Sequence, residues 1–176
     1  DAGNFLASRD EWTSPVSAEV GPDGAVWVSD WYSYIFQHNP TPQGFETGKG
    51  NAYVTPLRDK THGRVYRIVH DSPAKSKDLS HATPEQLVAA LGDDNLFWRM
   101  TAQRLLVERR ATQVVPQLTR LVKQPSDDAI GNAPAAVHAL WTLKGLGSLD
   151  AAVTRDALKH SSAPLRKAAV EVMPRD

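Results

Sequence analysis

Two hydrophobic periods run along this chain, and one gives way to the other near residue 80. In the first part Val16, Ala18 and Val20 alternate with polar neighbours, the period of a half-buried strand. Gly21-Pro22-Asp23-Gly24 follows as a turn, because Pro presets φ and Gly accepts a positive φ. Ala25 to Ser29, rich in Val and Trp, then predicts the returning strand of a hairpin. A third strand is predicted to begin in the aromatic run Asp30 to Phe36. Residues 39–60 carry three prolines and three glycines and read as a long irregular loop. Gly63 to Val69 closes the segment as a further strand, with Val65 and Tyr66 on opposite faces. A sheet this small needs partners to cover it. Its strand count equals that of one propeller blade.

Beyond residue 82 the period becomes helical. Thr83-Pro84-Glu85-Gln86 is a capping box with Pro in the first turn, and Leu87, Val88 and Leu91 form an apolar stripe that Gly92 ends. Asp94 or Asn95 caps a second helix that places Trp98, Ala102, Leu105 and Leu106 on one face. A third runs over 115–123, with Leu118, Leu121 and Val122 apolar. Asn132 and Pro134 start a fourth, which buries Val137, Leu140, Trp141 and Leu143 and stops at Gly145. Ser148 caps a fifth helix that reaches about His160. Ser162 and Pro164 open a sixth that ends before Pro174. Arg99, Ala136 and Arg166 fall at matching places, 37 and 30 residues apart, which is the scale of a helical-pair repeat. Such pairs bury their apolar faces by stacking. The expected fold class is therefore α+β: a short antiparallel, blade-like β segment over 1–70, a linker over 71–81, and an α-solenoid of about three HEAT-like helical pairs over 82–176.

Composition narrows the chemistry. Lys and Arg together number 20, as do Asp and Glu, and the two parts differ little in balance. Neither part is basic enough for a phosphate backbone, so nucleic acid is not an expected partner. The chain has no cysteine, which removes disulfides, thiolate metal sites and haem-c attachment. No apolar run is long enough to span a bilayer. The chain begins at Asp1 without a leader, as expected of a processed chain or an internal piece of a longer one.

A few side chains invite a chemical reading. Asp30, between a strand and Trp31-Tyr32, suits a cation or sugar contact, but a carboxylate accepting backbone N–H bonds is the favoured account. His38 and His62 flank the long loop as a potential metal or proton-transfer pair; without a carboxylate pattern beside them, a solvated role is favoured. Arg64 has the fork for an anionic or oxygen-rich ligand, against a plainer cross-strand pairing. His138 is expected to be packed and hydrogen-bonded, Trp98 and Trp141 to be core, and Arg99, Arg104, Arg109 and Arg110 to form a solvated helix face. No catalytic triad, phosphate-binding glycine loop or paired-carboxylate motif stands out, and no catalytic or metal-ligating residue is assigned.

Val-Gly-Pro-Asp-Gly-Ala-Val-Trp-Val-Ser-Asp-Trp-Tyr over 20–32, Gln37-His38, and Asp59-Lys60-Thr61-His62-Gly63-Arg64-Val65-Tyr66-Arg67-Ile68 together resemble the last propeller blade of one family. These are the large secreted proteins similar to soluble quinoprotein sugar dehydrogenases, common in planctomycetes and related bacteria. The stretches 95–106 and 138–147 resemble the repeat region that follows the propeller in that family. The resemblance implies the C-terminal part of an exported dehydrogenase-like protein, periplasmic or extracellular, whose helical repeats serve as a scaffold or docking surface. It also implies that the parent family uses a quinone with calcium and haem c, held outside this chain, which itself carries no cofactor. The expected partner is the rest of the same protein or another protein. The alternative is a non-enzymatic binding or structural module.

Overall fold

The computed structural model describes residues 3–34, 43–44, 61–72, 75–124 and 128–173. It divides into two compact units, Asp1–Ala74 and Lys75–Asp176. The fold is mixed: three antiparallel strands in the first unit and six helices in the second.

The strands β1 (Pro15–Val20), β2 (Val26–Asp30) and β3 (Arg64–Ile68) pair in chain order. The β1–β2 turn is the one the sequence announces: Gly24 has φ 75°, and the Asp23 carboxylate accepts from the Ala25 amide at 3.1 Å. Asp23 also pairs with Arg67 across the sheet. Gly21 lies beneath the Trp27 indole, where a Cβ would come within 2.4 Å of Nε1, so no other residue fits without moving the ring. Register sets Ala18, Val28 and Tyr66 in one row and Glu19, Trp27 and Arg67 in the next, on alternate faces. Of the strands' apolar residues only Val28 is buried. All of β1 is exposed, and Val16, Val20 and Val65 each keep more than half their surface.

The expected strand from Asp30 onward is not found over the described part of that stretch, Trp31 to Tyr34. The chain bends instead. Tyr32 adopts φ 51°, a left-handed conformation that breaks the pleat, and Asp30 holds the bend by accepting from the Tyr32 amide. Residues 35 and 36 lie outside the described residues.

The helices are α1 (Pro84–Ala90), α2 (Leu96–Glu108), α3 (Val115–Lys123), α4 (Pro134–Gly145), α5 (Ala151–Leu158) and α6 (Ala163–Val172), with a 3-10 turn at Thr112–Val114 leading into α3. α1 packs on α2, α3 on α4 and α5 on α6; α4 also packs on α2 and α6. Their facing stripes form one apolar core in which Leu87, Leu106, Leu118, Leu140, Leu143 and Leu165 are fully buried. The capping box on α1 is present in both directions, with Thr83 Oγ1 accepting from Gln86 and Gln86 Oε1 from Thr83. Asn95 caps α2.

α4 begins at Pro134, as expected, after Ala133, which makes no side-chain cap. Two terminal assignments differ from expectation. Asp150, rather than Ser148, caps α5, accepting from Val153 N at 2.7 Å. Gly145 is the last residue of α4 and not its stop. It is small because a Cβ there would approach Val107 of α2 to 2.7 Å, and Gly147, at φ 65°, makes the left-handed exit.

Arginines tie the connectors. Arg99 Nη1 donates to the carbonyls of Asp93 and Asp94, and Arg166 Nη1 donates to those of His160 and Ser161. Each guanidinium thus reaches the carbonyls six and five residues before it. Arg109 grips the carbonyls of Ser80 and Ala82 ahead of α1. Arg99 and Arg109 were expected on a merely solvated face, but with Arg166 they close the carbonyl ends that helices and turns leave open. The matching position in the middle pair is Ala136. There the connector is longer, and Asp128 organises it by accepting from the amides of Ile130 and Asn132.

Candidate functional site

The sheet brings two of the four singled-out residues together. Asp30 ends β2, Arg64 opens β3, and the two are register partners. Asp30 is 4% exposed. One oxygen, Oδ1, accepts from Ser14 N at 2.8 Å and Tyr32 N at 2.7 Å, while the Ser14 hydroxyl donates to the Ser33 carbonyl. Among the described residues Oδ2 has no hydrogen-bond partner within ordinary distance. Burial opposes ionisation of this carboxyl. The Ser14 and Tyr32 amides, the neighbouring Tyr66 hydroxyl and the Arg64 charge outweigh it and hold the pKa below the ordinary carboxylate value.

Arg64 does not close on Asp30. Its guanidinium lies over the Tyr32 ring, 3.5 Å from the centroid, and Nη1 donates to Asp10 Oδ2 at 3.0 Å and to the Tyr66 hydroxyl at 3.4 Å. Trp12 packs against both Tyr32 and Tyr34, with centroids 5.8 and 6.2 Å away. The cluster therefore joins the segment before β1, the bend after β2 and the start of β3. Its chemistry is that of a corner fastening: one buried anion spent on two amides, one cation on a ring and a carboxylate. His62 is exposed beside Arg64, with Nδ1 3.0 Å from Thr61 Oγ1. His38 lies outside the described residues. Asp10, Ser14, Tyr32 and Tyr66 complete the corner, and sequence reasoning did not single them out. The one signal for them was the placing of Asp30 before an aromatic pair.

No group of three or more His, Cys, Asp or Glu side chains is placed to hold a metal ion among the described residues. Among the described residues, none is gathered into a set that would hold the calcium, quinone or haem the resemblance implies for the parent family. The chain has no cysteine for haem attachment, and the buried carboxylate is engaged by amides with a guanidinium beside it.

The helical unit presents a second surface. α2 buries Trp98, Ala102 and Leu106 on one side, while Leu96, Phe97 and Met100 on the other are each at least 40% exposed. A groove between α2 and α4 is lined by Met100, Val107 and Trp141, with Arg104 and Lys144 at its rim. Arg104 pairs with Glu108 one turn on, and Lys144 sits over the Trp141 ring. Trp141, expected as core, is half-buried and forms part of this wall. On the opposite edge, Asp93, Asp94, Arg99, Asp128 and His138 surround a cavity of about 430 Å³. His138 is 8% exposed, and its Nδ1 lies 2.7 Å from Gln103 Oε1. Burial, and after it the Arg99 charge, pushes its pKa down to about 4. Among the described residues, no helix is long and apolar enough to cross a membrane.

A family known only as a domain of unknown function (DUF7133) matches residues 1–72, the extent of the β unit. No curated protein and no solved structure matches the chain.

Proposed function

We propose that this chain is a structural and docking module of an exported protein resembling the quinoprotein dehydrogenases. The β unit would act as one blade of a larger propeller, and the six helices as a HEAT-like solenoid that scaffolds or docks. The observation that carries this reading is the bare sheet. A three-stranded unit with one buried strand valine, and with Val16, Val20 and Val65 mostly in water, gains its stability from other sheets laid against it. The corner at Asp30 supports the same view, since it fixes where the chain leaves the sheet and presents no acid–base pair to a substrate. Oxidation of a sugar or other alcohol would belong to parts of the protein that hold the quinone. The intact mass of the protein in its natural source tests this. A mass well above 19.3 kDa, with further strand-rich sequence, is expected, and a mass near 19.3 kDa would remove the dehydrogenase reading.

A second reading, a non-enzymatic protein-binding module, is favoured by α2 alone. A helix that is apolar on its outward side as well as its core side is built to be covered. Met100→Glu would weaken capture of a partner on this face while leaving the fold intact.

A further inference from the structure

A cleft of about 890 Å³ opens where the α4–α5 connector, α5 and the end of α6 meet. Its apolar lining comes from Leu149, Ala151 and Leu158 on the connector and α5, and from Val172 and Met173 at the end of α6. Leu149 and Leu158 are half-buried against the helical core, while Met173 stays exposed, so the cleft is a side of the core left open to water. Two exposed cations share the lining, Lys144 from α4 and Arg155 from α5. We propose that this cleft binds a single-chain amphiphile with an anionic head, an aliphatic carboxylate, whose tail covers the apolar lining and whose head meets Lys144 and Arg155.

The charges single out that head. Lys144 Nζ lies 5.2 Å from the Trp141 ring centroid and donates to the Glu171 carbonyl at 3.4 Å, contacts that place the ammonium without neutralising it. Arg155 makes no hydrogen bond or ion pair among the described residues, so its whole guanidinium fork is open. The two acids in the lining are engaged elsewhere. Asp150 caps α5, its Oδ1 accepting from Val153 N at 2.7 Å, and Glu171 Oε1 pairs with Lys167 Nζ at 3.8 Å one turn back on α6. The groups left for an incoming head are therefore cationic, and a carboxylate suits an ammonium and a guanidinium fork alike. Apolar walls with a few placed polar groups are the form of a small-molecule site, and the pliant Met173 thioether adapts to a flexible tail. A purely apolar helix face laid over the cleft would strip water from both cations and leave them unpaired, which disfavours that occupant.

Titration of the full chain with monomeric dodecanoate, followed by amide NMR, tests this. Shifts are expected in α5, the end of α6 and the α4–α5 connector, and not in α1 or α2. Dodecyltrimethylammonium has the same tail and the opposite charge, and should bind about tenfold more weakly or worse. Lys144→Met combined with Arg155→Met keeps the side-chain stems and removes both charges at exposed positions. It should weaken dodecanoate about tenfold or more while circular dichroism stays unchanged. Dodecanol binding as tightly as dodecanoate would mark a bare apolar face. Dimerisation of the chain through these residues would make a second copy the occupant. Either of these results would overturn the proposal, as would absence of dodecanoate binding, equal binding of the two charged amphiphiles, shifts spread over all six helices, or an unchanged affinity in the double variant.

Discussion

The two units solve the problem of burying apolar surface in opposite ways. The helical unit closes on itself: six facing stripes share one core, and its leucines are taken fully out of water. The β unit leaves most of its strand valines outside, and the buried Asp30 carboxylate serves a corner rather than a core. The helical unit carries somewhat more apolar residues, 45 of 102 against 27 of 74, and it also arranges them differently. A helix places its apolar residues on one stripe that a neighbouring helix can cover, whereas a sheet of three strands has two faces, and β1 and most of β3 remain exposed. The helices are equipped to hold their own fold; the sheet is equipped to be held.

The largest expected effect tests the self-sufficient side. Leu140→Ala, at a fully buried position where α4 meets the core, should lower the unfolding free energy of the helical unit by about 3 kcal/mol. Denaturant titration followed by far-ultraviolet circular dichroism reads it. A loss under about 1 kcal/mol would mean that the core is looser than its packing implies.

The next tests the corner. Asp30→Ala leaves the Ser14 and Tyr32 amides without their acceptor and should cost the β unit about 2 kcal/mol. The amides of β2 and of Trp31 would then exchange freely while the helices stay protected. Asp30→Asn retains an oxygen for those amides and should recover a good part of the loss. Unchanged exchange in Asp30→Ala would show that the bend is held by something else.

Much of this was legible in the amino-acid order, and the gaps have physical causes. The hairpin was announced by its Pro-Asp-Gly turn, and α1 by a capping box that forms as written. Local signals of this kind are satisfied within a few residues and do not need the rest of the fold. The failed third strand shows the reverse. Trp31-Tyr32-Ser33-Tyr34 has strand-forming residues, but a buried Asp30 one position earlier captures the Tyr32 amide and turns the chain away. Gly145 looked like a helix stop because its close neighbour Val107 lies 38 positions away in sequence. Arg99 and Arg109 looked like surface charge for a similar reason, since the carbonyls they hold are open only where a connector ends. For the candidate site, type and strand position sufficed to mark Asp30 and Arg64. Asp10 and Tyr66 were hidden because they join the corner through tertiary contacts.

The smallest effect is the sharpest contrast to the first. Val65→Ala removes two methyl groups from a residue that is 67% exposed in β3 and should change stability by less than about 0.5 kcal/mol. The same truncation becomes costly once another sheet covers that face, so a clear loss in this chain would indicate that the face is already covered.

The account rests on the claim that the helices stand alone and the sheet does not. Native-state hydrogen exchange on the whole chain at neutral pH measures both at once. The prediction is slow, cooperative exchange in α2, α4 and α6, with β1 and β3 amides exchanging orders of magnitude faster. Equal protection of the sheet and the helices would contradict it, because a sheet that stable would stand alone as well as the helices do.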